Sequence, residues 1–156
     1  MQAPPQTPEA ATWRDDLRLG FAPMDATHEE FLALVDALLA APDAAVAEAL
    51  AAVHAHTREH FAAEERWMDE TGFPAAGCHR DEHAAVLASM DGVGRKVAAG
   101  EVEAARRLAR ALTEWFPGHA DYLDSALAHW MCKKTLGGKP VVLRRRKVES
   151  PAAAAA

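Results

Sequence analysis

Apolar residues recur along four long stretches of the chain at alternating spacings of three and four, the pattern of one face of an α-helix. Proline and glycine residues separate these stretches and predict short connections between them. The predicted helices cover about 25–40, 44–70, 75–99 and 101–136. Four amphipathic helices joined in this way predict an all-α fold, an antiparallel up-and-down four-helix bundle.

Residues 13–23 show no helical period and predict an irregular N-terminal arm that packs its large apolar side chains against the bundle. Residues 1–12 are rich in proline, alanine and glutamine and are expected to be disordered. Residues 137–156 begin with glycine, continue with basic residues and end in alanines, which is typical of a mobile tail. The expected domain is therefore a bundle over residues 13–136 with a tail at each end.

Local signals place several helix boundaries. Asp25 and Asp43 are expected to cap the first and second helices, because a short polar side chain can accept a hydrogen bond from the first turn. Gly72 is expected to end the second helix. Pro117 and Gly118 interrupt the fourth helix, so a kink or local irregularity is expected there.

The second predicted helix carries polar residues on its apolar line, which reads Val46, Leu50, Val53, Thr57, His60, Glu64 and Trp67. His60 and Glu64 stand four residues apart, one turn apart on one face. A buried imidazole and a buried carboxylate cost several kcal/mol unless they are paired, on the order of 2–7 kcal/mol for a polar group. A metal ion would satisfy both groups.

Five of the eight histidines fall on inward-facing lines, and two carboxylates accompany them. These residues are His28, His60, Glu64, His79, His83, His119 and Asp124. A single histidine on an apolar face is usually an ordinary core residue, but five without a metal would leave many polar atoms unpaired. An imidazole- and carboxylate-rich set without cysteine suits iron better than structural zinc. Seven ligands exceed the needs of one ion and fit two ions that share bridges, as in other bundle cores.

The sequence resembles the hemerythrin family, in particular its single-domain bacterial type, over about residues 13–136. The matching elements are the Trp13 arm, Asp25-x-x-His28, His60-Phe61-x-x-Glu64-Glu65-x-x-Met68, Gly72-Phe73-Pro74, His79-x-x-x-His83 and Trp115-Phe116-x-x-His119-x-x-x-x-Asp124. The resemblance implies two non-haem iron ions with an oxo or hydroxo bridge and seven protein ligands: one iron takes His79, His83 and His119, the other takes His28 and His60, and both share Glu64 and Asp124.

The resemblance implies reversible O2 binding, for storage, delivery or sensing, with O2 at the open position of the second iron. An alternative of another class is a di-iron enzyme that reduces O2, peroxide or nitric oxide. No general acid or base beyond the ligands is evident in the sequence, which favours a binding protein over an enzyme. A third possibility is a metal-regulated interaction module that works through the C-terminal tail.

An apolar wall around bound O2 would keep out water and protons. Phe61, Trp115 and Phe116 are the candidates for this wall, and Phe31 is expected to be ordinary core. Phe116 stands where the family commonly has leucine, so a tighter pocket is expected.

Two features depart from a simple match to the family. His56 stands one turn before His60, where the bacterial type often has tyrosine, and would either hydrogen-bond a ligand or fill space. The five-residue step from His119 to Asp124 puts them about 140° apart on an ideal α-helix. A local π-type widening would bring them towards one face.

The whole chain has a net charge of −6, which gives no reason to expect nucleic-acid binding. Residues 139–150 hold five basic residues and one acidic residue, a basic run that either aids solubility or docks an acidic or redox partner. Cys78 and Cys132 form no CxxC pair and are expected to be free thiols in a reducing compartment. Without a signal peptide or a membrane-spanning run, the expected location is the cytoplasm.

Overall fold

A computed structural model describes residues 13–135 of the chain. Within that range the long elements are α1 (Ala22–Ala40), α2 (Val46–Thr71), α3 (Ala76–Ala98), α4 (Glu103–His119), a π-helical segment (Ala120–Asp124) and α5 (Ser125–Thr135). The last three, α4, the π-helical segment and α5, are continuous and form a single helical rod. Each of the four rods of the bundle is called a column below. Four columns therefore make up the described part, and α1 and α3 each pack against both α2 and α4. This arrangement confirms the predicted all-α four-helix bundle.

The first helix begins earlier than the sequence indicated. It starts at Ala22 with Phe21 at its N-cap, and Pro23 lies in its first turn. Asp25 is therefore not a cap, and that expectation is wrong. Its buried carboxylate instead accepts backbone N–H groups from the arm before the helix, Leu19 at 2.7 Å and Gly20 at 3.0 Å. The side chain thus fastens the arm to α1.

The second helix also starts without the expected side-chain cap. A short 3-10 turn, Asp43–Ala45, precedes α2. Asp43 accepts a hydrogen bond from the guanidinium of Arg106 on α4 at 2.6 Å, and the same guanidinium donates to the carbonyl of Ala41 at 2.9 Å. The aspartate therefore ties the α1–α2 connection to α4, a contact that its position in the sequence could not reveal.

The predicted end of the second helix and the predicted irregularity in the fourth are both confirmed. Gly72 ends α2 with a φ of 67°, in the left-handed region that glycine adopts without a Cβ penalty. The π-helical segment Ala120–Asp124 begins three residues after Pro117, which lies inside α4. The helical turn between His119 and Asp124 thus contains one extra residue, as the five-residue spacing of this pair predicted.

The apolar core of the described residues falls into two clusters, one towards each end of the bundle. The larger cluster includes Phe31, Val35, Val53, Leu112 and Phe116. The smaller cluster includes Phe21, Met24, Met68, Phe73, Leu127 and Met131. Along each column, the polar inward-facing residues lie between the parts that enter the two clusters. A polar layer therefore separates two apolar cores.

Where the helices pack on the larger cluster, α3 buries fewer apolar side chains than the other three columns. Met90 is its one fully buried apolar residue, whereas Val86, Val93 and Val97 are half-buried. On α2, Trp67 is also half-buried and the neighbouring Met68 takes the interior position. None of the helices between Trp13 and Thr135 combines the length and the apolarity that crossing a membrane requires.

The predicted disordered N-terminus, residues 1–12, and the predicted basic tail, residues 137–156, lie outside the described residues, as does the expected helix end at residue 136. Both cysteines lie inside them and are free thiols: Cys78 is exposed, and Cys132 is buried with its Sγ 3.6 Å from the carbonyl oxygen of Gly20.

Candidate metal centre

All four columns contribute to the polar layer, and the structure brings together all seven candidate ligands that the sequence indicated. Each is at most 3% exposed. The set consists of His28 from α1, His60 and Glu64 from α2, His79 and His83 from α3, His119 from the end of α4 and Asp124 from the end of the π-helical segment.

Helical spacing explains why these side chains converge. His60 and Glu64, and likewise His79 and His83, stand one α-helical turn apart on one face. His119 and Asp124 are five residues apart, and the i→i+5 turn of the π-helical segment brings them together, with His119 Nε2 at 3.1 Å from Asp124 Oδ1.

Glu64 faces imidazoles on both sides. Its Oε1 lies 2.9 Å from Nε2 of His60 and 3.5 Å from Nε2 of His28. Its Oε2 lies 3.3 Å from Nε2 of His79 and 3.2 Å from Nε2 of His83. One carboxylate therefore presents a different oxygen to each of two groups of histidines.

Asp124 divides its oxygens in the same way. Its Oδ2 lies 3.1 Å from Nε2 of His28. Its Oδ1 lies 2.9 Å from Nε2 of His79 and 3.1 Å from Nε2 of His119. The possible ligand atoms therefore form two sets, and the atoms within each set lie within 4.8 Å of one another. One set contains three imidazoles and the other contains two. Both sets include the two carboxylates.

Most of the buried polar side-chain atoms in this cluster lack ordinary hydrogen-bond partners. Between residues 13 and 135, ten buried side-chain nitrogen and oxygen atoms have no hydrogen-bond partner, and all ten belong to the seven residues. Buried polar groups in folded proteins are nearly always hydrogen-bonded, so such a concentration needs another source of stabilisation. Imidazole nitrogens and carboxylate oxygens that converge without partners fit metal ions well.

The charges in the cluster compensate one another. Burial lowers the pKa of His28 and of His79, but the Asp124 and Glu64 carboxylates outweigh it and raise each pKa to about 9. Burial raises the pKa of Glu64, and the surrounding imidazoles lower it well below its usual value. At His60 burial dominates and lowers the pKa. The raised pKa values of His28 and His79 favour their protonated forms, and a metal ion that binds through these imidazoles would displace the protons.

The comparison with known proteins agrees with this geometry. The family model described as "Hemerythrin HHE cation binding domain" matches residues 19–130. The chain belongs to the hemerythrin family. A bacteriohemerythrin from Ralstonia nicotianae is 41% identical over 122 residues, which cover 78% of this chain and 89% of the relative.

Two further bacteriohemerythrins match with lower identity. That of Stenotrophomonas maltophilia is 30% identical over 120 residues, covering 74% of this chain and 78% of the relative. That of Pseudomonas aeruginosa is 28% identical over 128 residues, covering 76% of this chain and 82% of the relative. The predicted membership of the hemerythrin family is confirmed, and the match extends over most of both chains.

Aromatic rings enclose the centre of this hemerythrin chain. Phe61 stacks on His83 with ring centroids 3.7 Å apart, and Phe116 meets His28 edge-on at 5.0 Å. Phe31, expected to be ordinary core, belongs to the larger cluster and also contacts His60 at 6.0 Å and Phe116 at 5.4 Å. Phe31 and Phe116 therefore cover the side with two imidazoles.

Trp115 lies on the other side of the hemerythrin centre, the side with three imidazoles. Its ring is 4.3 Å from that of His119, and its indole N–H donates to Oε1 of Glu82 at 2.7 Å. The same oxygen lies 3.0 Å from Nδ1 of His119. Glu65 similarly lies 3.2 Å from Nδ1 of His83.

Sequence reasoning did not find these outer contacts of Glu82 and Glu65. Glu82 reaches from α3 to a histidine on α4, and Glu65 reaches from α2 to a histidine on α3. A contact between two helices leaves no spacing signal in the sequence. The one available signal was a carboxylate directly beside a candidate ligand, which is common on exposed helix faces.

The other histidines lie outside the centre. His56 directs Nε2 to the carbonyl oxygen of Thr27 at 3.1 Å and Nδ1 towards Glu30 at 3.7 Å, while its ring meets that of His60 edge-on at 6.0 Å. His54 lies 3.1 Å from Asp91, and His129 is exposed. The contacts of His56 fit a neighbour of a ligand rather than a substitute ligand.

Proposed function

We propose that this chain binds O2 reversibly at a centre of two non-haem iron ions. His79, His83 and His119 would hold one ion, and His28 and His60 would hold the other, with Glu64 and Asp124 bridging. The proposal covers storage, delivery and sensing, because all three depend on the same binding step.

The observation that carries the proposal is that the two oxygens of each carboxylate, Glu64 and Asp124, face different groups of histidines. Each presents one oxygen to the side of His28 and another to the side of His79, which is the arrangement that two bridged ions need. The two sides also differ, because three imidazoles lie on one and two on the other. The ion beside His28 and His60 would therefore have one protein ligand fewer and a position for O2.

When iron is bound, its two ions supply the pair of electrons that reversible O2 binding uses. The chain contributes the surroundings of that position. Phe31 and Phe116 are 1% and 0% exposed and cover the side with two imidazoles, so they would exclude water and protons. Phe61 also reaches this side, because its ring centroid lies 5.2 Å from that of His60. We therefore assign the wall to Phe31, Phe116 and Phe61, and assign Trp115 a position beside His119 instead.

The experiment is an anaerobic titration of the iron-loaded full chain with O2, followed by visible absorption. Iron analysis should first give two ions per chain. O2 should then produce an absorption band that disappears when the O2 pressure is lowered and returns over repeated cycles. A band that decays and returns only with added reductant would contradict the proposal and favour the enzymatic alternative.

A matched pair of variants tests the apolar wall. Phe116→Ala removes a ring beside His28, whereas Phe73→Ala removes a ring from the smaller cluster, where its aromatic contact is with Trp130. Either change costs about 3–5 kcal/mol of stability. Only Phe116→Ala should shorten the lifetime of the O2-bound form. Equal lifetimes in the two variants would remove Phe116 from the wall.

A further inference from the structure

Glu82 on α3 makes two contacts across to the fourth column. Its Oε1 accepts the indole N–H of Trp115 at 2.7 Å and lies 3.0 Å from Nδ1 of His119. Its side chain is 38% exposed, whereas that of His119 is fully buried. The carboxylate therefore connects a buried candidate ligand to the surface of the bundle.

The indole contact fixes the role of this oxygen. An indole N–H can only donate, so Oε1 of Glu82 must accept, and a carboxylate oxygen has the capacity to accept a second hydrogen bond from Nδ1–H of His119. With the proton on Nδ1, the lone pair of Nε2 points to the interior, where Asp124 Oδ1 lies at 3.1 Å. The contact thus selects the tautomer in which His119 can bind a metal.

We infer that Glu82 is a positioning residue that sets the tautomer of His119 and strengthens it as a ligand, with Trp115 holding the carboxylate in place. This inference rests on the proposed function, because it assigns His119 to the centre. An imidazole that donates its outer N–H to a carboxylate is a more basic ligand. A more basic ligand stabilises the higher oxidation state of its iron.

The two sides of the centre differ in these outer contacts. On the side with three imidazoles, His119 meets Glu82 and His83 meets Glu65. Among the described residues, Nδ1 of His79 on that side has no hydrogen-bond partner, and on the other side neither Nδ1 of His28 nor Nδ1 of His60 has one. With iron bound, these two outer carboxylates would favour the ferric state of the ion on the side with three imidazoles over that of the ion on the proposed O2 side.

Glu82 is a better test of this asymmetry than Glu65. The Glu65 carboxylate lies 3.2 Å from Nδ1 of His83 and also 3.8 Å from the guanidinium of Arg80, which offsets its charge. The contacts of Glu82 within residues 13–135 are with Trp115 and His119, neither of which is a lysine or an arginine.

The experiment compares Glu82→Ala, which removes the acceptor, with Glu82→Gln, which keeps an acceptor oxygen and loses the charge. Asp81→Asn removes the same charge from the neighbouring, exposed position. Ferrous ion affinity is measured anaerobically by competition with a chelator, and the reduction potential by redox titration. Glu82→Ala should weaken iron binding about 10–100-fold, and both Glu82 variants should raise the potential, whereas Asp81→Asn should do neither.

A second readout needs neither iron nor O2. The indole N–H resonance of Trp115 in the metal-free full chain, assigned with Trp115→Phe, should shift and exchange faster in Glu82→Ala and remain close to wild type in Glu82→Gln. If Glu82→Ala does not fold, the potential of Glu82→Gln decides. If the Glu82 variants have the same iron affinity and reduction potential as Asp81→Asn, the inference is overturned. If the Glu82 variants change affinity and potential as expected but the wild-type protein fails to cycle with O2, only the proposed function is overturned.

Discussion

At the scale of single residues, two adjacent glutamates show how position on a helix decides chemistry. Glu64 is 1% exposed and its oxygens face four imidazoles. Glu65 has a side chain that is 34% exposed and meets His83 from the outside, at Nδ1. Successive residues on an α-helix point about 100° apart, so one carboxylate enters the polar layer and the other lies at its edge.

Glu64→Ala should therefore abolish the di-iron absorption, because both proposed ions lose a bridging ligand. Glu65→Ala should retain two irons per chain, since His83 keeps its Nε2 contact and loses only an outer partner. Visible absorption and iron analysis of the two purified variants provide the measurement. An intact spectrum in Glu64→Ala together with a lost spectrum in Glu65→Ala would mean that the roles are reversed.

At the scale of elements, α3 combines two ligands at its N-terminal end with a weakly packed C-terminal half. Met90 is its fully buried apolar residue, and Gly92 and Gly94 interrupt its middle. A Cβ placed on Gly94 would meet no atom within 4 Å beyond the neighbouring residues and the helix backbone. The glycine therefore adds conformational freedom to the unfolded chain without a steric need in the fold.

Gly94→Ala should raise the free energy of unfolding by about 0.4–1 kcal/mol, because alanine restricts the unfolded chain and fits the helix. Gly72→Ala is the contrasting control. Its φ of 67° is unfavourable for a residue with a Cβ and should lower the same quantity by about 1–2 kcal/mol. Denaturant unfolding of both variants measures the difference, and a destabilised Gly94→Ala would show that α3 needs that freedom.

At the scale of the whole molecule, the polar layer lies between two apolar clusters and holds all ten buried side-chain atoms without hydrogen-bond partners in residues 13–135. The layer takes side chains from all four columns, and most of its polar atoms face one another without ordinary hydrogen-bond partners. The bundle should therefore depend on whatever satisfies those atoms.

Removal of iron should lower the melting temperature clearly, since binding to the folded state alone stabilises that state. Circular dichroism of the loaded and chelator-treated full chain measures the shift, and reloading with ferrous ion under anaerobic conditions should restore it. Coincident melting curves would indicate that the bundle pairs these seven side chains in another way.

The sequence by itself determined the all-α fold, the approximate extent of the helices and the seven residues of the polar layer. Each of these follows from spacing along one helix, as with His60 and Glu64, or from a break in that spacing, as with His119 and Asp124. Periodicity is a local property, so the chain displays it before it folds.

Only the tertiary structure decided which oxygen of each carboxylate faces which histidines. It also decided that Phe31 and Phe116 cover one side and Trp115 the other, and that Glu82 contacts His119. It also showed that neither aspartate caps a helix: Asp25 binds the N-terminal arm, and Asp43 binds Arg106. These contacts join residues from different elements, and their geometry depends on how the helices pack, which no spacing within one helix records.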